Sequence, residues 1–259
     1  MENELNITIL QSDLVWENAS ENRKNFETKI NAITAPTDII VLPEMFTTGF
    51  AMQPEALSET MDGDTVHWML QLAKTTNSAI CGSIIINENK QYYNRFLFVT
   101  PSGGIQFYNK RHLFSLAGEH ERYQNDNKQV IMEYKSWRIC PLICYDLRFP
   151  VWSRNTLNYD VLIYVANWPK PRVTAWNTLL KARAIENMSY VVGANRVGTD
   201  ANGHEYTGNS IMLDELGNEM TPLSENKEAI LTTSLSKKEL LASRNKFNFL
   251  NDQDEFEIK

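Results

Sequence analysis

At 259 residues the chain has room for one large domain or two small ones, and either buries a substantial core. An apolar fraction of 42%, a charged fraction of 22% and a net charge of −7 are those of a globular enzyme. With no Lys/Arg-rich stripe, they argue against a nucleic-acid or anionic-membrane partner. Acidic residues in Met1-Glu-Asn-Glu-Leu5, no apolar run of membrane length, and three cysteines without metal-ligand spacing predict a cytoplasmic protein with reduced thiols.

Short β-rich apolar runs alternate with amphipathic stretches. In chain order, strands are predicted over residues 5–10, 39–42, 79–86, 92–100, 105–108, 129–133, 137–143, 161–165, 190–195, 210–213 and 228–233. Helices are predicted over 19–33, 65–75, 151–158 and 173–188, the last with Trp176, Leu179, Leu180, Arg183 and Ala184 at helical spacing. Gly103-Gly104 and Asn202-Gly203 supply hairpin turns. No repeat or linker divides the chain, so we expect one domain over 1–259: a core over about 6–233 and a C-terminal extension over 234–259. Many strands and few helices predict two packed sheets covered outside by helices.

Three of these strands run into a reactive residue. Residues 39–42 lead through Pro43 to Glu44, residues 104–108 lead to Lys110, and residues 137–143 deliver Cys144. Reactive groups collect beyond the carboxyl ends of strands, where loops shape a site on a rigid base. A free cysteine taken alone is more often a buried small apolar residue, which suits Cys81 and Cys140 better than Cys144. Glu44 sits among apolar neighbours that would desolvate a general base, and Lys110 is a cation able to lower a nearby thiol's pKa or hold an oxyanion. Singly, each also fits an ordinary strand-end residue. Together, a carboxylate, an ammonium and a thiol make a set for acyl transfer.

Leu42-Pro-Glu-Met-Phe46, Tyr108-Asn-Lys-Arg-His-Leu-Phe114 and Leu142-Ile-Cys-Tyr-Asp-Leu-Arg-Phe-Pro150 resemble the three signature blocks of the nitrilase, or carbon–nitrogen hydrolase, superfamily. Ala166-Asn-Trp-Pro169 and Val192-Gly-Ala-Asn-Arg-Val-Gly198 extend the likeness, which is greatest to the ω-amidase branch. The resemblance implies an α/β four-layer α-β-β-α sandwich with two central mixed sheets, paired as a homodimer. It makes Glu44 the general base, Lys110 the cation on the tetrahedral intermediate and Cys144 the nucleophile. It also places a second active-site glutamate in the following loop, where spacing favours Glu119 over Glu121.

The implied substrate is the monoamide of a short dicarboxylic acid, of 2-oxoglutaramate or succinamate type, hydrolysed by water through a thioester with no metal or organic cofactor. The Tyr145 N–H is expected to help hold the oxyanion, and Trp168 and Phe114 to wall the pocket. Arg148 and Arg196 are candidates for the distal carboxylate, although a structural ion pair, with Asp146 or Glu186 as partner, is the reading placed ahead for both. His112 and His120 are expected to support rather than react. A nitrilase or carbamoylase would use the same triad, and a silent binding protein would keep the fold alone. A redox-thiol or dinucleotide-binding protein is disfavoured by the absence of Cys-x-x-Cys and Gly-x-Gly-x-x-Gly.

Overall fold

The computed structural model describes residues 3–258. In chain order the strands are β1 (Glu4–Gln11), β2 (Ile39–Val41), β3 (Ala79–Glu88), β4 (Gln91–Val99), β5 (Ile105–Asn109), β6 (Met132–Tyr134) and β7 (Trp137–Ile143). There follow β8 (Val161–Ala166), β9 (Tyr190–Asn195), β10 (Val197–Thr199), β11 (Glu205–Thr207), β12 (Ile211–Leu213) and β13 (Ala229–Ser236). The helices are α1 (Ala19–Asn31), α2 (Pro54–Leu57), α3 (Asp64–Thr76), α4 (Glu119–Arg122), α5 (Pro150–Ser153), α6 (Val173–Asn187) and α7 (Lys237–Phe247).

Two mixed sheets result, ordered β13-β1-β2-β3-β4-β5 and β12-β9-β8-β7-β6. Each has a parallel centre, β1-β2-β3 and β7-β8-β9, flanked by antiparallel strands. The period of two along each strand sorts its residues between two cores. Ile7, Ile9, Ile39, Val41, Cys81, Phe96 and Phe98 point from the first sheet to the second, where Ile139, Leu142, Val161 and Val165 belong to the same buried cluster. The opposite parity (Leu10, Ile40, Ile80, Ile84, Leu97, Val99) meets Phe26 and Ile30 of α1 and Val66, Met69 and Leu72 of α3. On the far side α6 seats Trp176 and Leu180 so closely on β9 that a Cβ at Gly193 would lie 2.5 Å from Leu180 Cδ1. The architecture is thus the expected α-β-β-α stack in a single domain.

Several elements differ from expectation. The helix predicted over 151–158 stops at Ser153, because Asn155 turns its side chain to the Tyr159 N–H and carbonyl and to the Asn187 carbonyl. The strand predicted over 129–133 is the shorter β6, displaced to Met132–Tyr134. β13 continues past residue 233 to Ser236, whose hydroxyl accepts the Glu239 N–H and caps α7, and Leu240 of that helix is buried. The hairpin β10–β11 closes through the Asn202-Gly203 turn, with Gly203 at φ +80°.

Candidate active site

β5 is reversed twice relative to β3 and so points the same way, which brings the ends of β2, β5, β7 and β8 to one edge of the sandwich. Glu44, Lys110, Cys144 and Asn167 follow those ends. Antiparallel pairing sets Asn94 of β4 opposite Lys110, whose N–H donates to the Asn94 carbonyl at 3.0 Å.

Glu44, Lys110 and Glu119 are all fully buried. The Lys110 ammonium donates to Glu44 Oε1 at 2.9 Å and to Glu119 Oε1 and Oε2 at 3.0 and 2.9 Å. Glu44 Oε1 also accepts from Asn94 Nδ2 at 2.8 Å, and Oε2 from the Asn167 N–H at 2.8 Å. The Phe114 N–H donates to Glu119 Oε2. Burial alone would push the Lys110 pKa down, but the charges of Glu119 and Glu44 outweigh it and raise it above the ordinary lysine value. Glu119 moves up from the usual carboxylate range because burial and the negative charge of Glu44 together exceed the pull of Lys110. Glu121, the alternative in the same loop, is exposed, as is His120.

Cys144 opens a 3₁₀ turn, Cys144–Arg148, directly from the end of β7, with φ at +44°. A left-handed non-glycine residue carries strain that surrounding contacts must sustain. Here Asp146 supplies them. Its Oδ2 accepts from the Ile143 N–H at 3.0 Å and the Tyr108 hydroxyl at 2.9 Å, and its Oδ1 from the His112 N–H at 3.0 Å and Nδ1 at 2.8 Å. Asp146 thereby ties the loop of Lys110 to the turn of Cys144. The cation was expected to lower the thiol pKa. Burial, Glu44 and Glu119 outweigh the opposing effect of Lys110, and the thiol stands well above its ordinary value.

A cavity is lined by Cys144 and by Tyr145, Trp168, Phe114 and Arg148, four residues expected from the sequence. Phe50, Asn167, Arg172, His204 and Tyr206 line it as well. Arg148 lies 5.0 Å from the Trp168 ring centre and Arg172 5.2 Å from that of Phe114, and the Trp168 indole N–H donates to the Arg172 carbonyl at 2.7 Å. Neither guanidinium pairs with a carboxylate of any described residue. Arg196 does not line the cavity. It is buried against Asp13 at 2.7 Å, so its partner is neither Asp146 nor Glu186. Glu186 pairs instead with Arg183. The reading of the sequence overlooked Asn94, Asn167, Arg172 and His204. Only Asn167, inside the Ala166-Asn-Trp-Pro169 block, carried a local signal.

The carbon–nitrogen hydrolase family model matches residues 6–244. The chain belongs to the carbon–nitrogen hydrolase family. As a member of it, this protein is a hydrolase acting on amide C–N bonds. It is 47% identical over 254 residues to the Omega-amidase YafV of Escherichia coli K12, covering 98% of each chain. It is 35% identical over 218 residues to the 2-oxoglutaramate amidase of Bacillus subtilis 168, covering 82% of this hydrolase and 83% of that relative. Among solved structures, XC1258 of Xanthomonas campestris, a CN-hydrolase superfamily protein with an arsenic adduct in its active site, superposes with a TM-score of 0.96 at 38% identity over 99% of both chains.

Proposed function

We propose that this hydrolase removes the terminal amide of a small dicarboxylate monoamide, of 2-oxoglutaramate or succinamate type, through a thioester on Cys144. Glu44 takes the thiol proton as sulfur bonds to the amide carbon. The raised thiol pKa favours this coupled transfer over a standing thiolate. The negative oxygen that forms is held by the Lys110 ammonium and the Tyr145 N–H. The C–N bond then breaks, Glu44 returns the proton to nitrogen, and ammonia leaves. Water attacks the thioester with Glu44 again as base, releasing the acid and the thiol. Glu119 grips Lys110 with both carboxylate oxygens and fixes where the ammonium points.

The observation that carries the substrate class is the pair of guanidiniums, Arg148 and Arg172, lining the cavity of Cys144 without a carboxylate partner among the described residues. A substrate's distal carboxylate supplies what Asp13 supplies to Arg196. The names of the Escherichia coli and Bacillus subtilis relatives support the same class. The direct test is ammonia release from 2-oxoglutaramate and succinamate by wild type and by Cys144→Ala. Turnover by wild type alone supports both nucleophile and substrate, whereas turnover of nitriles or carbamoyl compounds in their place refutes the substrate class. We also assign the exposed Phe249, Phe256 and Ile258 of the C-terminal extension to the contact of a cytoplasmic homodimer, which sedimentation of wild type against a chain truncated after Asn248 would check.

A further inference from the structure

Asn167 holds Glu44 twice, through its backbone N–H to Oε2 at 2.8 Å and through Nδ2 to the Glu44 carbonyl at 2.7 Å. The second bond settles which end of the side chain is which, because a carbonyl accepts only from the amide nitrogen. Oδ1 is therefore the other atom. It is buried, it accepts no hydrogen bond from any described residue, and its residue, 5% exposed, lines the cavity with Cys144. Neighbouring Asn195 shows what a purely structural asparagine does here. Its Oδ1 accepts the Trp168 N–H at 2.8 Å, and its Nδ2 donates to the Trp168 and Gly208 carbonyls at 3.0 and 2.8 Å.

A buried acceptor without a donor is costly unless a ligand completes it. Other polar side chains in the cavity lining offer mainly N–H, O–H or S–H donors: Cys144, Tyr145, Arg148, Arg172 and His204, whereas the Trp168 N–H and the Tyr206 hydroxyl are already donated to the Arg172 carbonyl and to Asp200. We propose that Asn167 Oδ1 accepts one N–H of the substrate's carboxamide while Glu44 faces the other, so that Asn167 selects a primary amide over an ester or nitrile, neither of which carries an N–H. After the C–N bond breaks, the same oxygen accepts from the departing ammonia. This rests on the amidase reading above and adds to it the residue that recognises the scissile group.

The test is a ratio measured within single preparations, which cancels any loss of folded protein. Wild type, Asn167→Ala and Asn167→Ser are compared on succinamate and on monomethyl succinate, which pass through the same thioester. Asn94→Ala serves as the control, because it loosens Glu44 from Oε1 without lining the cavity. The amide-to-ester ratio of kcat/KM is expected to fall about tenfold or more in both Asn167 variants, beyond any fall in Asn94→Ala. A ratio equal to that of Asn94→Ala, or loss of both activities in both variants, assigns Asn167 to holding Glu44 alone and overturns the proposal. Wild-type silence on both compounds overturns the substrate reading, and the proposed N–H contact with it.

Discussion

Replacing Lys110 by Met leaves Glu44 and Glu119, both fully buried, facing each other in the interior without the ammonium that joins them. An orphaned buried charge costs about 3–5 kcal/mol. A carboxylate escapes part of that cost by taking up a proton, so the penalty must depend on pH. In the variant a folded carboxylate keeps a proton that the unfolded chain has lost above its ordinary pKa of about 4.3, and stability therefore falls as pH rises. Each pH unit above that value costs about 1.4 kcal/mol per retained proton. The loss is then about 1 kcal/mol at pH 5 and about 4 kcal/mol at pH 7.5 for one such carboxylate, which meets the orphan-charge range. For a chain of this size that is a fall in Tm of roughly 10 °C at the higher pH. Thermal unfolding followed by tryptophan fluorescence from pH 5 to 8 measures it. The variant Lys110→Met/Glu44→Gln/Glu119→Gln, with no buried charge left in the cluster, is expected to recover most of the loss. Equal stability of Lys110→Met and wild type at pH 7.5, or a loss of the same size at both pH values, would refute the account.

Iodoacetamide labelling of Cys144, taken as the difference between wild type and Cys144→Ala, is expected to keep accelerating through pH 9, because the thiol pKa is raised. A plateau below pH 7 would show a standing thiolate instead. Cys81 and Cys140 are also raised by burial, so the folded chain keeps thiol protons that the unfolded chain loses above about pH 8.5, and urea stability should decline with pH from there. His112→Asn retains an N–H donor for Asp146 and is expected to keep kcat within about threefold, whereas His112→Leu loses about 10- to 100-fold in kcat with KM little changed. Equal kcat in the two would remove His112 from positioning the turn. Arg148→Met and Arg172→Met are each expected to raise KM for succinamate about 10- to 100-fold while leaving butanamide, which has no distal carboxylate, unaffected. An equal rise for both substrates would contradict the assignment.

The sheets were legible in the sequence because a strand with one buried face announces itself by alternation, and a strand buried on both faces by an unbroken apolar run. β3 and β8 are of the second kind and fell close to their predicted bounds. The failures came where side chains compete with the backbone. Asn155 ended a predicted helix by long-range bonds to Asn187, which no local pattern encodes. α7 went unread although Ser236-Lys-Lys-Glu239 is a capping sequence, because its mainly polar residues bury only Leu240 and give little periodic signal.

The site divides in the same way. Glu44, Lys110 and Cys144 could be picked out because each follows closely on a predicted strand, and the ends of β2, β5 and β7 meet at one edge of the sandwich. What surrounds them could not, since the partners arrive from far along the chain. Asn167 meets Glu44 across 123 residues, and Asp13 claims Arg196 across 183. The backbone shows why those distant partners matter. Met45 and Cys144, each at or beside a proposed catalytic residue, adopt φ of +42° and +44°, a strain of about 1–3 kcal/mol apiece. Each is held from outside its own loop or by a side chain shared with another, Met45 through the Ser83 hydroxyl and Cys144 through the Asp146 carboxylate. A strained turn aims its side chain only while such contacts persist. The residues proposed to do the chemistry therefore depend on residues given no part in it, and the sequence displays the first group more openly than the second.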